Sequence, residues 1–335
     1  MTATIERRAM EPQMVDPLRK FRVDAPIDRL QTVPGGAALF VESAARVYEL
    51  GAAAIDHVLA TGELALDKTP GCRKLCDEVS AWTVDARVNA FLGCGKTEWQ
   101  LLSLANGSVL ARHRLPREMG AACGVALGSG ELVAMWGPPA KSSERDPDPN
   151  ELHLVVQKSG EVSAARVLSL PGRMSVHWSQ KSLEFVVVDL RNQQVFRVGT
   201  KGRVTPLACG FLDEDTAIGA SFIDEERGLI LHVIKDDAPS RLFAGVLSAD
   251  GVRWGGAVTM PEGSWDHLCW NSMERLWAGE RMVGRRSSLT VLDERGKVQM
   301  EQGLLEDCVL SDLVWSGTGR RLYAAVDEAM MVWNL

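Results

Sequence analysis

The chain has 335 residues, 46% hydrophobic and 24% charged. That is the balance of a soluble globular protein, with length for one large all-β or barrel-type domain or two ordinary ones. A formal net charge of −7 argues against the basic face that neutralises phosphates, so no nucleic-acid partner is expected. The longest apolar runs, such as Phe185–Leu190, are strand-length, far short of the ~20 residues of a membrane helix. Met1–Lys20 lacks the apolar stretch of a secretory leader, and the seven cysteines are scattered without framework spacing. Together these features predict a cytoplasmic protein with free thiols and no membrane association.

Along the chain, residues 1–17 read as a disordered tail, and residues 18–335 as one domain. "LRKFRVD" (Leu18–Asp24) alternates Phe21 and Val23 with Lys20 and Arg22, the pattern of a half-buried edge strand defended by charge. Val41–Leu64 is Ala-rich and ambiguous, either two strands or a helix, because short apolar runs fit both periods.

From Leu101 onward a unit repeats: an apolar strand, a tight polar turn with Gly, and a second β-rich strand. It occurs at Leu101–Leu115, Leu154–Leu168, Val195–Leu207, Gly245–Val258 and Thr290–Leu304. The turn glycines Gly107, Gly160, Gly202, Gly251 and Gly296 recur at roughly 47-residue spacing, within the range of propeller blades. A second hairpin precedes each of these, as in Ser175–Asp189, Asp266–Glu280 and Ser311–Asp327. Four short strands per period, a to d, make a propeller blade. Blades begin near Ile27, Cys76, Ala121, Arg173, Asp215, Trp265 and Cys308, which predicts an all-β, seven-bladed β-propeller. Six is the alternative if Val41–Leu64 is helical. Trp82, Trp178, Trp270 and Trp315 recur at blade spacing and are expected between blades, with Trp333; Trp265, at a loop end, is a candidate for exposure.

The last blade has strands a, b and c, and then the sequence stops at Leu335. Its missing fourth strand is supplied by Leu18–Asp24, which would close the ring and cover Met331 and Trp333. The stretch "GTGRRLYAAVDEAMMVWNL" (Gly317–Leu335) resembles the end of a WD40 repeat. Gly319, Arg320–Leu322, the acidic turn Asp327–Glu328 and Val332–Leu335 match, with Asn334 where Asp is usual. The resemblance implies a WD40-like propeller.

Chemical motifs are sparse. "GCGKT" (Gly93–Thr97) resembles the tail of a P-loop, but Ala90 stands where the first Gly belongs and a strand pattern follows. It reads as a hairpin turn, as does "SADGVRW" (Ser248–Trp254) beside an Asp-box. Cys72 and Cys76 lack the second ligand pair of a zinc site and read, like Cys123, Cys269 and Cys308, as core thiols. His177 and His267 fall on inner strands near the channel. No catalytic residue, metal site or cofactor is expected.

Two features carry functional expectations. The insertion Gly137–Asn150 is long, Pro-rich and charged; it is either functional or simply disordered. In addition, five of the seven d–a connections carry two or more carboxylates. In a propeller the d–a and b–c loops share one face around the channel mouth. Asp77, Glu78, Asp213, Glu214, Asp215, Asp266, Glu306 and Asp307, with Arg173 beside them, are therefore the candidate partner-binding residues. Such a face steers a basic protein partner or holds a hard cation. The expected function is a monomeric, non-catalytic protein-interaction platform. The alternative is a Ca2+-dependent propeller hydrolase or lactonase using axial carboxylates.

Overall fold

The computed structural model describes residues 19–334 except 86–88, 116–121, 130–131, 140–149, 159–160, 210–211, 213–214, 249–250 and 305–307. The expected tail of residues 1–17 and most of the Gly137–Asn150 insertion fall outside the described residues.

Seven antiparallel sheets of four blade strands each form the molecule. Blade one is Arg29–Thr32, Leu39–Ser43, Arg46–Leu50 and Cys72–Cys76; blade two is Ala81–Asp85, Ala90–Cys94, Glu98–Ser103 and Val109–Arg114. Blade three is Gly124–Leu127, Leu132–Gly137, Asn150–Lys158 and Glu161–Leu170; blade four is Met174–Ser179, Glu184–Asp189, Gln194–Gly199 and Val204–Leu207. Blade five is Thr216–Asp224, Gly228–Lys235, Ala238–Ser248 and Gly251–Thr259; blade six is Ser264–Asn271, Leu276–Val283, Arg286–Asp293 and Val298–Gly303. Blade seven takes Leu310–Trp315, Arg321–Val326 and Ala329–Asn334 from the end of the sequence and Arg19–Val23 from its start. The seven innermost strands contact one another in cyclic order, blade seven against blade one included. This is the seven-bladed, WD40-like propeller expected from the repeat.

The sheets stack because their middle strands are apolar on both faces. In blade four, Phe185 and Val187 pack toward blade three while Val186 and Val188 pack toward blade five, all of them buried. A strand buried on both sides reads as an unbroken apolar run rather than an alternation. The tryptophans fill the same seams. Trp82 lies between blades one and two, Trp178 between three and four, Trp270 between five and six, and Trp315 and Trp333 between six and seven. Trp265 is buried in the five–six seam rather than exposed; its indole donates to the Pro261 carbonyl at 3.1 Å, which lets the polar edge go inside.

The closing strand pairs antiparallel with the last strand, Arg19 opposite Val332 and Phe21 opposite Met330. Phe21 and Val23 share a core with Met330, Val332 and Tyr323, while Trp333 is buried on the other face against blade six. The strand thus covers Met330 and Val332, not the expected Met331 and Trp333; with a side-chain period of two, adjacent residues face opposite neighbours.

Val41–Leu64 is both things its composition allowed. It supplies two strands of blade one and then α1 (Ala52–Thr61). Ala54, Ile55 and Val58 are buried and Leu59 packs beside them, the i, i+3, i+4 stripe of an amphipathic helix. Gly62 ends the helix in the left-handed region (φ +82°), its N–H bonded to the Val58 carbonyl, as a C-terminal glycine does. The helix packs into the closing core, and Glu63–Leu64 adds a short fifth strand parallel to Arg22–Val23. An insertion in blade one thereby straps blade seven shut.

Candidate functional site: the d–a and b–c loop face

The described b–c turns and d–a connections open on one face. Asp77 and Glu78 (between blades one and two), Arg173 (three and four), Asp215 (four and five) and Asp266, at the start of blade six, are all exposed there. Asp213, Glu214, Glu306 and Asp307 lie outside the described residues. The five that are described lie at four of the blade boundaries, spread around the ring. Asp77 is partly neutralised, with Arg46 at 3.4 Å and Lys74 at 3.0 Å, and Asp266 accepts from the His267 N–H at 2.8 Å.

The inner strands set a polar network near the channel mouth. The Arg29 guanidinium donates to the Trp82 carbonyl at 3.1 Å and lies 4.9 Å over the Trp82 ring. Desolvation pulls its pKa down, while Asp312 and then Glu42 pull it back up. Glu42 accepts from the Trp82 indole; burial raises its pKa, as it does that of Asp312. Asp312 accepts the backbone N–H groups of Leu30, across the seven–one seam, and of Leu313. These charged groups spend their bonding capacity on blade boundaries: Arg29 and Glu42 tie blade one to Trp82 of blade two, and the half-buried Asp312 carboxylate ties the first and last inner strands by accepting a backbone N–H.

His177 contacts the hydroxyls of Ser175 and Ser221 through one nitrogen, at 2.9 and 2.8 Å. Burial pushes its pKa down to about 4, so the ring is neutral near pH 7 and bridges blades four and five. His232 of blade five is 1% exposed and its Nε2 has no partner among the described residues; burial takes it to about 4 as well, opposed weakly by Asp266. Among the described residues no three His, Cys, Asp or Glu side chains converge as a metal site requires, so the hydrolase alternative has no ligand set among them. Gly93–Thr97 is followed by the strand Glu98–Ser103 and lacks the helix that a phosphate loop needs. The cysteines are free; Cys76 and Cys94 are buried, but Cys123 is exposed.

The concavity on this face is a groove of about 600 Å³ between blades five and six. Its walls are the turn Asp237–Pro239, the connection Glu262–Ser264 and the turn Met282–Gly284. Gly263 (φ +130°) lets the connection pass blade six closely: a Cβ there would sit 2.7 Å from the Met282 carbonyl. Arg281 donates to the Glu262 carbonyl at 2.8 Å and fixes the wall. Met282 and Val283 are 43% and 47% exposed. An apolar pair flanked by the Asp237 and Glu262 carboxylates is the local chemistry of a protein contact. The sequence carried a trace of it in "RMVGRRS", where two apolar residues precede a turn glycine, but nothing local said that Met282 and Val283 would face Asp237.

No protein-family model and no curated protein matches the chain. Among solved structures it is similar to the β-propeller domain of Cps50 (Swd1) from Myceliophteria thermophila. That match has a TM-score of 0.65 at 12% identity, covering 95% of this chain and 99% of that one. It is equally similar to an oligogalacturonate lyase in complex with manganese, with a TM-score of 0.63 at 11% identity, covering 95% and 92%. Two such different proteins at one level of likeness establish the architecture and leave function to the site.

Proposed function

We propose that the protein is a non-catalytic interaction platform that docks a protein partner on the d–a/b–c face, anchored in the groove between blades five and six. The observation that supports this reading is the exposed Met282–Val283 pair set between Asp237 and Glu262. The groove fits a partner segment with an apolar side chain beside a Lys or Arg. Asp215 and Asp266, exposed nearby, steer its approach, as Asp77 and Glu78 do from farther round the ring. Central apolar anchors carry most of an interface's energy, and rim charges mainly speed encounter.

The test is a photo-crosslinking residue at Met282, followed by comparison of the captured partner with a D237K/E262K variant. Reversal of both carboxylates should weaken capture at least ~10-fold without lowering the melting temperature. Undiminished capture by the reversed variant removes the groove as the docking site.

A further inference from the structure

On the opposite face, where the a–b and c–d loops meet, two blade boundaries can be compared position by position. At the five–six boundary the a–b loops carry Arg227 and Arg275. Arg227 pairs with Glu294 in the c–d turn of blade six, and Arg275 reaches Glu226 and Glu294 at 3.6 Å each. In blade seven Arg320 stands, like Arg227 and Arg275, directly before strand b, and Arg321 opens that strand. The element that should answer them is the c–d connection of blade one. There α1 replaces the hairpin turn, and among the described residues no carboxylate pairs with the blade-seven arginines as Glu294 pairs with Arg227. Neither arginine forms an ion pair among the described residues.

A cavity of about 250 Å³ fills the vacant position. Arg320 and Arg321 line it with the Thr318 and Ser316 hydroxyls, and Ile55, Ala37 and neighbouring methyl groups give an apolar wall. The loop is held in shape: Ser316 accepts the Arg321 N–H at 3.0 Å, and the Gly35 N–H donates to the Gly317 carbonyl at 2.6 Å. Gly317 is required there, since a Cβ would lie 1.9 Å from the Val33 carbonyl. Arg321 also counters the burial that raises the Tyr323 phenol. Asp56 also lines the cavity and forms no ion pair with either arginine within the described residues.

We propose that this cavity binds a small hydroxylated anion, its phosphate or carboxylate held by Arg320 and Arg321 in place of the missing protein carboxylate. A guanidinium fork matches either oxyanion with paired N–H donors. The apolar wall accommodates a short carbon chain, and Asp56 accepts from a ligand hydroxyl while rejecting a second negative group. The volume is a little under the roughly 300 Å³ at which drug-sized pockets begin, which selects a compact three- to six-carbon ligand. The site is on the face opposite the docking groove and is independent of the function proposed above.

Inorganic phosphate, glycerol 3-phosphate and lactate are the probes, titrated by calorimetry and thermal shift at constant ionic strength with chloride as control. Glycerol 3-phosphate or lactate should raise the melting temperature by about 2 °C or more at tenfold excess over its Kd. Inorganic phosphate, lacking the hydroxyl for Asp56, should bind more weakly. The R320Q/R321Q variant should weaken binding ~10-fold or more, the effect of losing charge-assisted hydrogen bonds. Because Arg321 also touches Tyr323, the second variant is Ala37→Glu, which places a carboxylate on the cavity wall and should abolish the response in a folded protein. A response to glycerol 3-phosphate alone or lactate alone assigns the phosphate or the carboxylate class. No shift beyond chloride with any probe, or an undiminished shift in both variants, overturns the proposal.

Discussion

The seven–one and five–six boundaries solve the same packing problem with different materials. At seven–one the ring is sealed by parts from three distant segments: Phe21 and Val23, then Ile55 and Val58 of α1, then Tyr323, Met330 and Val332. At five–six, neighbouring segments suffice. Trp270 stacks on Trp277 at 4.6 Å and Phe222 meets Trp277 edge-on, with Arg227 lying 4.8 Å over Trp270 and paired to Glu294. The closure seam has an apolar outer core strapped by a helix, carries the Asp312 bond at its inner strands, and leaves guanidiniums lining a cavity. The internal seam is aromatic and ion-paired on one face and opens as a groove on the other. A propeller thus gains local surface chemistry wherever a boundary departs from the standard hairpin.

The strongest way to break this contrast is to remove the closing strand. Deleting residues 1–24 exposes Met330 and Val332 and leaves Ala329–Asn334 as an unpaired edge. The ring should then open, with loss of cooperative unfolding or a fall in melting temperature of well over 10 °C; an unshifted melting temperature would refute closure by this strand. Phe21→Ala and Trp277→Ala compare the seams directly. Each should lose about 3–5 kcal/mol, the range for emptying a buried aromatic site, measured by urea unfolding. The difference should appear in where the loss is felt. Hydrogen exchange should rise across α1 for Phe21→Ala, and across blades five and six for Trp277→Ala.

Much of this was legible in the sequence. Turn glycines such as Gly107, Gly202 and Gly296, all with positive φ, marked the c–d hairpins, because a tight turn needs a backbone few other residues adopt. The last blade announced a missing strand, and Phe21–Val23 carried the matching alternation. What the sequence hid was assembled from afar. α1 was ambiguous because Ala-rich apolar segments fit both periods. The groove joins Asp237, Glu262 and Met282, and the cavity joins Ala37, Asp56 and Arg320; no local pattern encodes such meetings. Carboxylate counting marked the face but not its concavity, since loop composition reports charge and not shape.

Acid should loosen the four–five–six side of the ring before the seam. His177 bridges blades four and five, and His232 lies in blade five near Asp266, both with pKa values pushed down by burial to about 4. In the unfolded chain they titrate near 6.5. The unfolded state therefore binds more protons between those values, and the stability present above pH 6.5 is lost as pH falls toward 4. The slope is about 1.4 kcal/mol per pH unit per histidine, or ~2 kcal/mol each by pH 5. Asp312 and Glu42, with raised pKa values, act in the opposite sense, since their neutral-pH penalty lifts on acidification. Urea unfolding from pH 7 to 4.5 should show a net loss, shallower in a His232→Gln variant. Hydrogen exchange at pH 5 that opened α1 first would contradict this order.

The smallest expected effect tests the contrast most finely. Glu294→Gln removes the shared partner of Arg227 and Arg275, leaving Arg227 unanswered, like the guanidiniums of the seven–one boundary, and Arg275 with Glu226 alone. The pairs are partly exposed, so the loss should be under ~1 kcal/mol and should shrink with added salt. The variant should nevertheless gain no response to glycerol 3-phosphate or lactate, because Arg227 stays stacked on Trp270 and the boundary has an ion-paired surface there instead of a walled cavity. A new anion response in Glu294→Gln would mean that an unanswered arginine suffices anywhere on this face. The space left where α1 replaces a hairpin would then explain nothing about binding. Its absence, beside a response at Arg320 and Arg321 that Ala37→Glu abolishes, would tie anion recognition to the insertion that also closes the ring.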